Sequence, residues 1–443
     1  LEFPCWLRVK QDREGKDMSF FMSADRFRMV LARFRERLWV KPLAMCVVSI
    51  AAAVGASLAD GSGLAHVVPA TASIALETLL SIMASSMLVI ATFSVGSMVG
   101  AYGAASNTAT PRSFALVVAD DVSQNALSTF VGAFIFSIVA LTGVKNGYFQ
   151  AAGLFVLFVL TALVFGLVIV TFVRWVDKIA RLGRMNSTIE KVELATAAAL
   201  ARRRNGPTLG GVPVRALTRG VPVHAAEVGY VQHIDIARLQ AWAVSVDARV
   251  VVAALPGAFA FPDRVLAYVS VAAKGDATPE FDEVIASFTI GRERRFEDDP
   301  RFGLVVLSEI AGRALSPAVN DPGTAVFILG ALVRLFGQWC QPATDDATPA
   351  CDRIEVPELS VHDMFDDAFT AIARDGAGSI EVALRLQKAL QSLASLGGPS
   401  MRAAAEEHAR QALERAALRM ELPIDLAQVR KAAAFATPAL RDD

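Results

Sequence analysis

The sequence predicts an α-helical transmembrane domain of four spans plus a cytoplasmic α/β domain with a small β-rich module and a helical C-terminal part. Three observations predict it. Of 443 residues, 54% are hydrophobic and 20% charged, with a mean hydropathy of +0.44, whereas soluble domains carry nearer a quarter charged residues. Four long uncharged runs crowd into the stretch before Arg174. After Arg184 the pattern changes to short β-branched runs and then to helical periods.

The four runs cover residues 43–59 (extended by Leu38–Val40), Thr78–Ser106, Ala126–Val144 and Ala151–Val173. A helix rises about 1.5 Å per residue, so roughly 20 apolar residues cross a hydrocarbon layer about 30 Å thick. The polar turn Lys145–Gln150 is short enough to make spans three and four an antiparallel hairpin. Arg26, Arg28, Arg33, Arg35, Arg37 and Lys41 precede span one, and Arg174, Lys178, Arg181 and Arg184 follow span four. Basic residues stay inside, so a multi-pass membrane protein with both termini cytoplasmic is expected. Residues 1–25 read as a tag or upstream sequence and a disordered start, with span one acting as a signal-anchor. Residues 26–41 read as an amphipathic N-terminal helix, its stripe Phe27, Val30, Leu31, Phe34 and Leu38 set against arginines; it suits either the lipid surface or an ordinary helix running into span one. The four-span domain is then 42–184.

Residues 185–280 read as a linker helix and the β-rich module, and 281–443 as the helical domain. Ser187 and Glu190 form a capping box for the linker helix. Strands are expected at Val212–Leu217, Gly229–Ile234, Arg249–Ala254 and Arg264–Val269, with a helix over Asp235–Ser245. Beyond them helices are expected near 281–290, 300–315, 321–339, 361–374, 376–396 and 399–419, with Pro342–Pro357 a polar surface loop. No lysine stands at a hairpin tip as a biotinyl or lipoyl carrier needs.

Chemistry is sparse. Forty-three basic against 44 acidic residues leave a net charge of −1, which disfavours a nucleic-acid partner. The cysteines (Cys5, Cys46, Cys340, Cys351) form no CxxC pair, the five histidines no metal spacing, and neither a Walker loop nor GxSxG occurs. No catalytic residue, metal or cofactor is expected, and no enzyme.

Span two carries Ser85, Thr92, Ser94 and Ser97 together with Gly96 and Gly100 in a GxxxG spacing. That face suits tight packing in a homo-oligomer or the lining of a water-filled path. Ser128, Gly132 and Ser137 of span three are candidates for the same route, Gly132 for packing. The spans carry no ionisable residue near their middles, unlike a proton-coupled carrier. Arg112, Asp120, Asp121 and Gln124 lie at the expected cytoplasmic mouth, where a carboxylate ring would favour cations and a lone Asp would cap a helix. Arg292, Arg294, Arg313, Asn320 and Asp321 surround a predicted helix start at Asp321–Pro322. They suit a small anionic ligand or ion, or arginine pairing with Glu293, Asp298, Asp299 and Asp321.

Taken together, these strings resemble the bacterial predicted-membrane-protein family called domain of unknown function 2254. The carriers are Ser106–Asn107, Pro111–Arg112, Asp121, Gln124 and Ser128–Phe130–Gly132–Phe134, then Gly229–Tyr230–Val231 with Ile234–Asp235, and the run Arg313–Pro322. Asn107 stands where the family has Gln, and Ser128 where it has Gly. The resemblance implies the topology and a cytoplasmic domain, and no activity or cofactor. The functional expectation is an oligomeric ion channel or pore with a cytoplasmic regulatory domain. The alternative is a non-conducting, membrane-anchored sensor or scaffold.

Overall fold

The computed structural model describes residues 39–61, 73–108, 110–113, 116, 121–179, 185–215, 220–271, 280–343 and 350–436. The expected tag and most of the expected amphipathic helix lie outside them. Two compact units result, one from residues 1–105 and 117–184, the other from 106–116 and 185–443.

The first unit is built from α1 (Val40–Gly55), α2 (Ser73–Thr108), α3 (Asp121–Lys145) and α4 (Ala151–Ile179). Each is long and apolar enough to cross a membrane, α1 when its 3-10 continuation to Gly61 is included. Gly132 lets α1 and α3 come close: a Cβ there would stand 3.1 Å from Met45 Cβ and 3.2 Å from Ser49 Oγ. Ala53, Leu76, Leu80, Phe136, Ala140 and Leu157 share one core. A second forms around Trp175, whose ring meets those of Phe93, Phe130 and Phe172 at 6.0–6.1 Å. Asp60, after α1, accepts from the N–H groups of Gln150 at 2.9 Å and Gly153 at 2.6 Å, capping α4. Helix N-termini leave such donors unmet, and in an apolar unit they need a partner from the chain itself.

The second unit has a β-rich part and a helical part. Its helices are α5 (Met185–Asn205), α6 (Ile236–Ser245), α7 (Asp282–Ile285), α8 (Pro300–Ala314), α9 (Pro322–Trp339), α10 (Val361–Asp375), α11 (Ile380–Leu396), α12 (Pro399–Arg419) and α13 (Pro423–Ala432). Its strands are β1 (Val212–Pro213), β2 (Val221–His224), β3 (Gly229–Ile234), β4 (Ala248–Val252), β5 (Phe259–Ala260), β6 (Val265–Val271), β7 (Phe288–Gly291) and β8 (Ile354–Val356). One sheet runs β1-β8-β4-β6-β2, the other β5-β3-β7. The helical core gathers α5 and α8 to α12 around Phe336, Phe365 and Phe369, all without exposed surface. Each such ring contributes about 1.5–3 kcal/mol through burial.

Three expectations need correction. Residues 281–290 are not one helix: α7 ends at Ile285, and Phe288–Gly291 pairs antiparallel with β3. Thr289 and Ile290 are β-branched, and pairing with a distant strand outweighs local helix period. Pro342–Pro357 is not wholly a surface loop, because Ile354–Val356 is β8, parallel to both β1 and β4, with Ile354 and Val356 fully buried. The β-rich part therefore draws strands from both sides of residue 280, so residues 185–280 do not close it. The helix expected from 376 begins at Ile380.

Candidate functional site

The second helix has two opposite faces. Leu76, Leu80, Met83, Met87, Ala91, Ser94 and Met98 recur every three or four residues and are buried, which marks a single helical stripe. On the opposite side Thr78, Ser81, Ser85, Val89, Thr92, Gly96, Gly100 and Gly103 follow the same spacing and are all exposed, small except for Val89. A Cβ built at Gly96, Gly100 or Gly103 meets nothing within 4 Å. Val89 interrupts the small residues between Ser85 and Thr92, and Ile82, Leu88 and Phe93 are exposed beside them.

The six serines and threonines expected along one path therefore fall on different faces. Ser85 and Thr92 point outward and Ser97 is half-buried, whereas Ser94, Ser128 and Ser137 are buried inside the unit. Hydroxyl groups on both sides turn back on their own helix. Ser85 donates to the Ser81 carbonyl at 3.0 Å, Thr92 to Leu88 at 2.9 Å, Ser128 to Gln124 at 2.7 Å and Ser137 to Ala133 at 2.7 Å. Ser94 Oγ is buried with no hydrogen-bond partner.

Of the expected mouth residues, Asp120 and the side chain of Asp121 lie outside the described residues, and Gln124 is buried. Arg112 belongs to the second unit, where it pairs with Glu309 of α8. Thr110 and Ser113 beside it are buried, and Leu116 packs on the helical core. Residues 110–113 and Leu116, between α2 and α3, thus belong to the second unit. Nothing in the local sequence announces Glu309 as its partner.

The string 290–325 splits into two arrangements. Arg294 grips Asp299 with two bonds, 2.6 and 3.0 Å, and lies 5.3 Å over the Phe302 ring. Asp299 also caps α8 by accepting from Phe302 N–H at 3.1 Å. Burial pushes its carboxyl above the ordinary value, against the pull of Arg294. Gly257, at φ +94°, leaves room for that carboxylate where a Cβ would collide with it.

Asp321 caps α9, taking Thr324 N–H at 3.1 Å and Thr324 Oγ at 2.6 Å, and these bonds hold it below the usual carboxylate range. Its own carboxylate fills the place where an external anion would meet the Thr324 N–H. Asn320 stands at φ +49° in the exposed turn between α8 and α9, and Arg292 and Arg313 are exposed. The structure does not gather the arginines at the α9 start, since Arg294 is committed to Asp299.

Sequence reasoning takes Arg202–Arg203–Arg204 only as a helix end. In the structure they reach three separate segments, at the carbonyls of Glu297, Pro357 and Gln338 respectively. Arg203 is 4% exposed, and burial lowers its pKa to about 10. Among the described residues no three His, Cys, Asp or Glu side chains stand close enough, as placed, to share a metal ion. An apolar hollow lined by Ile372, Gly376, Val382, Leu386, Gln387 and Ala412 is only water-sized.

A family model described as "Predicted membrane protein (DUF2254)" matches residues 35–392, and the chain belongs to that family. Its function is unknown. The chain is 30% identical over 112 residues to the uncharacterized protein MT1328 of Mycobacterium tuberculosis (strain CDC 1551 / Oshkosh). Identity to the uncharacterized protein Mb1321c of Mycobacterium bovis (strain ATCC BAA-935 / AF2122/97) is also 30% over 112 residues. Each match takes in 25% of this chain, which spans 22% of the length of the relative. No solved structure matches the chain.

Proposed function

We propose that this member of the predicted-membrane-protein family is a self-associating inner-membrane channel, with copies meeting along the outer stripe of α2 around an ion path. The observation that carries this reading is the contrast between that stripe and α4. Leu163, Phe165, Leu167, Val170 and Val173 of α4 are exposed and large, as a lipid-facing helix requires. On the outer face of α2, Thr78, Ser81 and Ser85, then beyond Val89 the run Thr92, Gly96, Gly100 and Gly103, are exposed and small, which suits close helix approach with hydroxyls at the seam. Basic residues before α1 and at the end of α4 support an inward-facing second unit. That unit holds the α2–α3 link through Arg112–Glu309 and is the proposed regulatory part.

Substituting Gly96→Leu and Gly100→Leu together tests this. Ion flux into vesicles holding the double variant is expected to fall to that of empty vesicles, while Leu167→Ala leaves flux intact. Wild-type protein with no flux under voltage, tension or pH change contradicts the channel. One observation favours a second reading. The hydroxyls of Ser85 and Thr92 already bond to their own helix, which suits a dry seam in a membrane-anchored scaffold. That reading expects assembly to be lost in the double variant, with no flux in either protein.

A further inference from the structure

Three exposed apolar side chains stand together where α12 turns into α13. Leu418, Leu422 and Ile424 are 85%, 60% and 68% exposed. Met420 between them packs inward on the small core of Ala383, Ala416 and Val429, and Pro423 opens α13. The corner is thus held from within while its branched side chains face out. Scattered exposed apolar residues are ordinary, but a group on one rigid corner marks an interaction surface.

Contacts among the helices fix where this corner lies in the second unit. α8 and α10 run in the same direction. Arg301 near the start of α8 holds Asp363 and Asp367 near the start of α10, and a Cβ at Gly312 would stand 3.1 Å from Asp375 at the end of α10. α12 follows α10: His408 meets Asp366 at 3.1 Å, and a Cβ at Gly378, just past α10, would stand 3.8 Å from the Arg419 carbonyl oxygen. α5 runs the other way along α8, since Thr196 lies against Gly303 and Arg202 reaches the Glu297 carbonyl. Met185 is eleven residues before Thr196 and Ala314 eleven after Gly303, so α5 starts where α8 ends. Arg112 joins the same end through Glu309, in the last two turns of α8.

That end receives both chain connections from the candidate spans. Arg112 follows the end of α2 at Thr108 by four residues, and Met185 follows the end of α4 at Ile179 by six. A chain reaches at most about 3.3–3.6 Å per residue, so neither connection exceeds about 22 Å. By contrast α5 and α11 carry the chain roughly 24–30 Å from this end, to Asn205 and to Leu396. Chain length alone therefore keeps the exposed corner at the end of the unit that is tethered to the bilayer.

We propose that Leu418, Leu422 and Ile424 dock the second unit on the surface of the bilayer. Apolar side chains of elements lying on a membrane sit about 5–10 Å into the boundary between headgroups and acyl chains. Arg419 and Glu421, exposed between the three, keep their charged ends among headgroups and water. Val319, 50% exposed in the turn that follows α8, adds an apolar contact at the same end. The docking needs only the four spans, and stands whether or not the outer stripe of α2 encloses an ion path.

The test uses the full chain in vesicles of phosphatidylcholine and phosphatidylglycerol. Leu418→Cys, Leu422→Cys and Ile424→Cys are made one at a time with Cys5, Cys46, Cys340 and Cys351 replaced, and each is labelled with an environment-sensitive fluorophore. Spin-labelled phosphatidylcholine is expected to quench all three labels and to leave a label at Leu396→Cys bright. Leu418→Glu with Ile424→Glu should abolish quenching of the label at position 422. Unchanged amide exchange in α10 and α12 of that variant separates lost docking from lost folding. Labels reached by aqueous iodide and not by the lipid quencher show a free surface. Labels that neither reaches show a second copy or another protein on the corner. Either result, or equal quenching at position 396, overturns the proposal.

Discussion

The two units differ in which polar side chains do the work: hydroxyls turned back on their own helices in the first, charged groups between helices in the second. In the first, Ser85, Thr92, Ser128, Ser137 and Thr161 each bond to a carbonyl four residues back on the same helix. In the second, charged side chains reach across: Arg301 ties α8 to Asp363 and Asp367 of α10, and Arg334 of α9 holds Glu193 of α5 with two bonds of 2.7 Å. Two different solvents would produce that difference. Helices in lipid must satisfy their polar groups internally and recognise each other by close packing. A unit whose surface meets water gains register from ion pairs, because the exposed ends of those side chains stay hydrated.

Deleting a buried charged partner should cost far more than deleting a self-bonded hydroxyl. Asp299→Ala strands the mostly buried Arg294 and uncaps α8. We expect a loss of about 3–5 kcal/mol, seen as faster amide exchange throughout α8. A change under about 1 kcal/mol, the scale of an exposed pair, breaks the contrast.

Asp321→Ala removes only an exposed cap and should cost about 1 kcal/mol at neutral pH. Thr324 holds the Asp321 pKa below its ordinary value. Its contribution is therefore present above that ordinary value and fades as pH falls through the lowered one. Unfolding curves of wild type and variant should converge in acid; a gap that persists there points to something other than the carboxylate.

Ser137→Ala, fully buried in the first unit, removes a hydroxyl bonded to Ala133 of its own helix. The expected loss is about 0.6 kcal/mol or less, read from unfolding in mixed micelles. A larger value shows that Ser137 works across helices.

Much of this architecture is legible in the sequence. The four candidate spans follow from length and apolar content, and Asp235, Asp299 and Asp321 cap α6, α8 and α9 by contacts three residues away. Arg294–Asp299, five residues apart, was within reach of the expected arginine–aspartate pairing. What the sequence conceals is non-local. The three-residue β8 is too short to show a period and owes its pairing to β1 and β4, more than 100 residues earlier. Arg112 finds Glu309 197 residues away. The opposite faces of α2 are implicit in its spacing, but serines look alike in a sequence. Only packing separates Ser94, turned inward, from Ser85 and Thr92, turned outward.

That outward stripe is best tested by cross-linking in native membranes. With Cys5, Cys46, Cys340 and Cys351 replaced, a single cysteine is placed in turn at Ser85, Thr92 and Gly96 of α2 and at Leu167 and Val170 of α4. Self-association along α2 predicts oxidative dimers from the first three positions and none from the last two. Dimers from α4 alone, or from neither helix, contradict it.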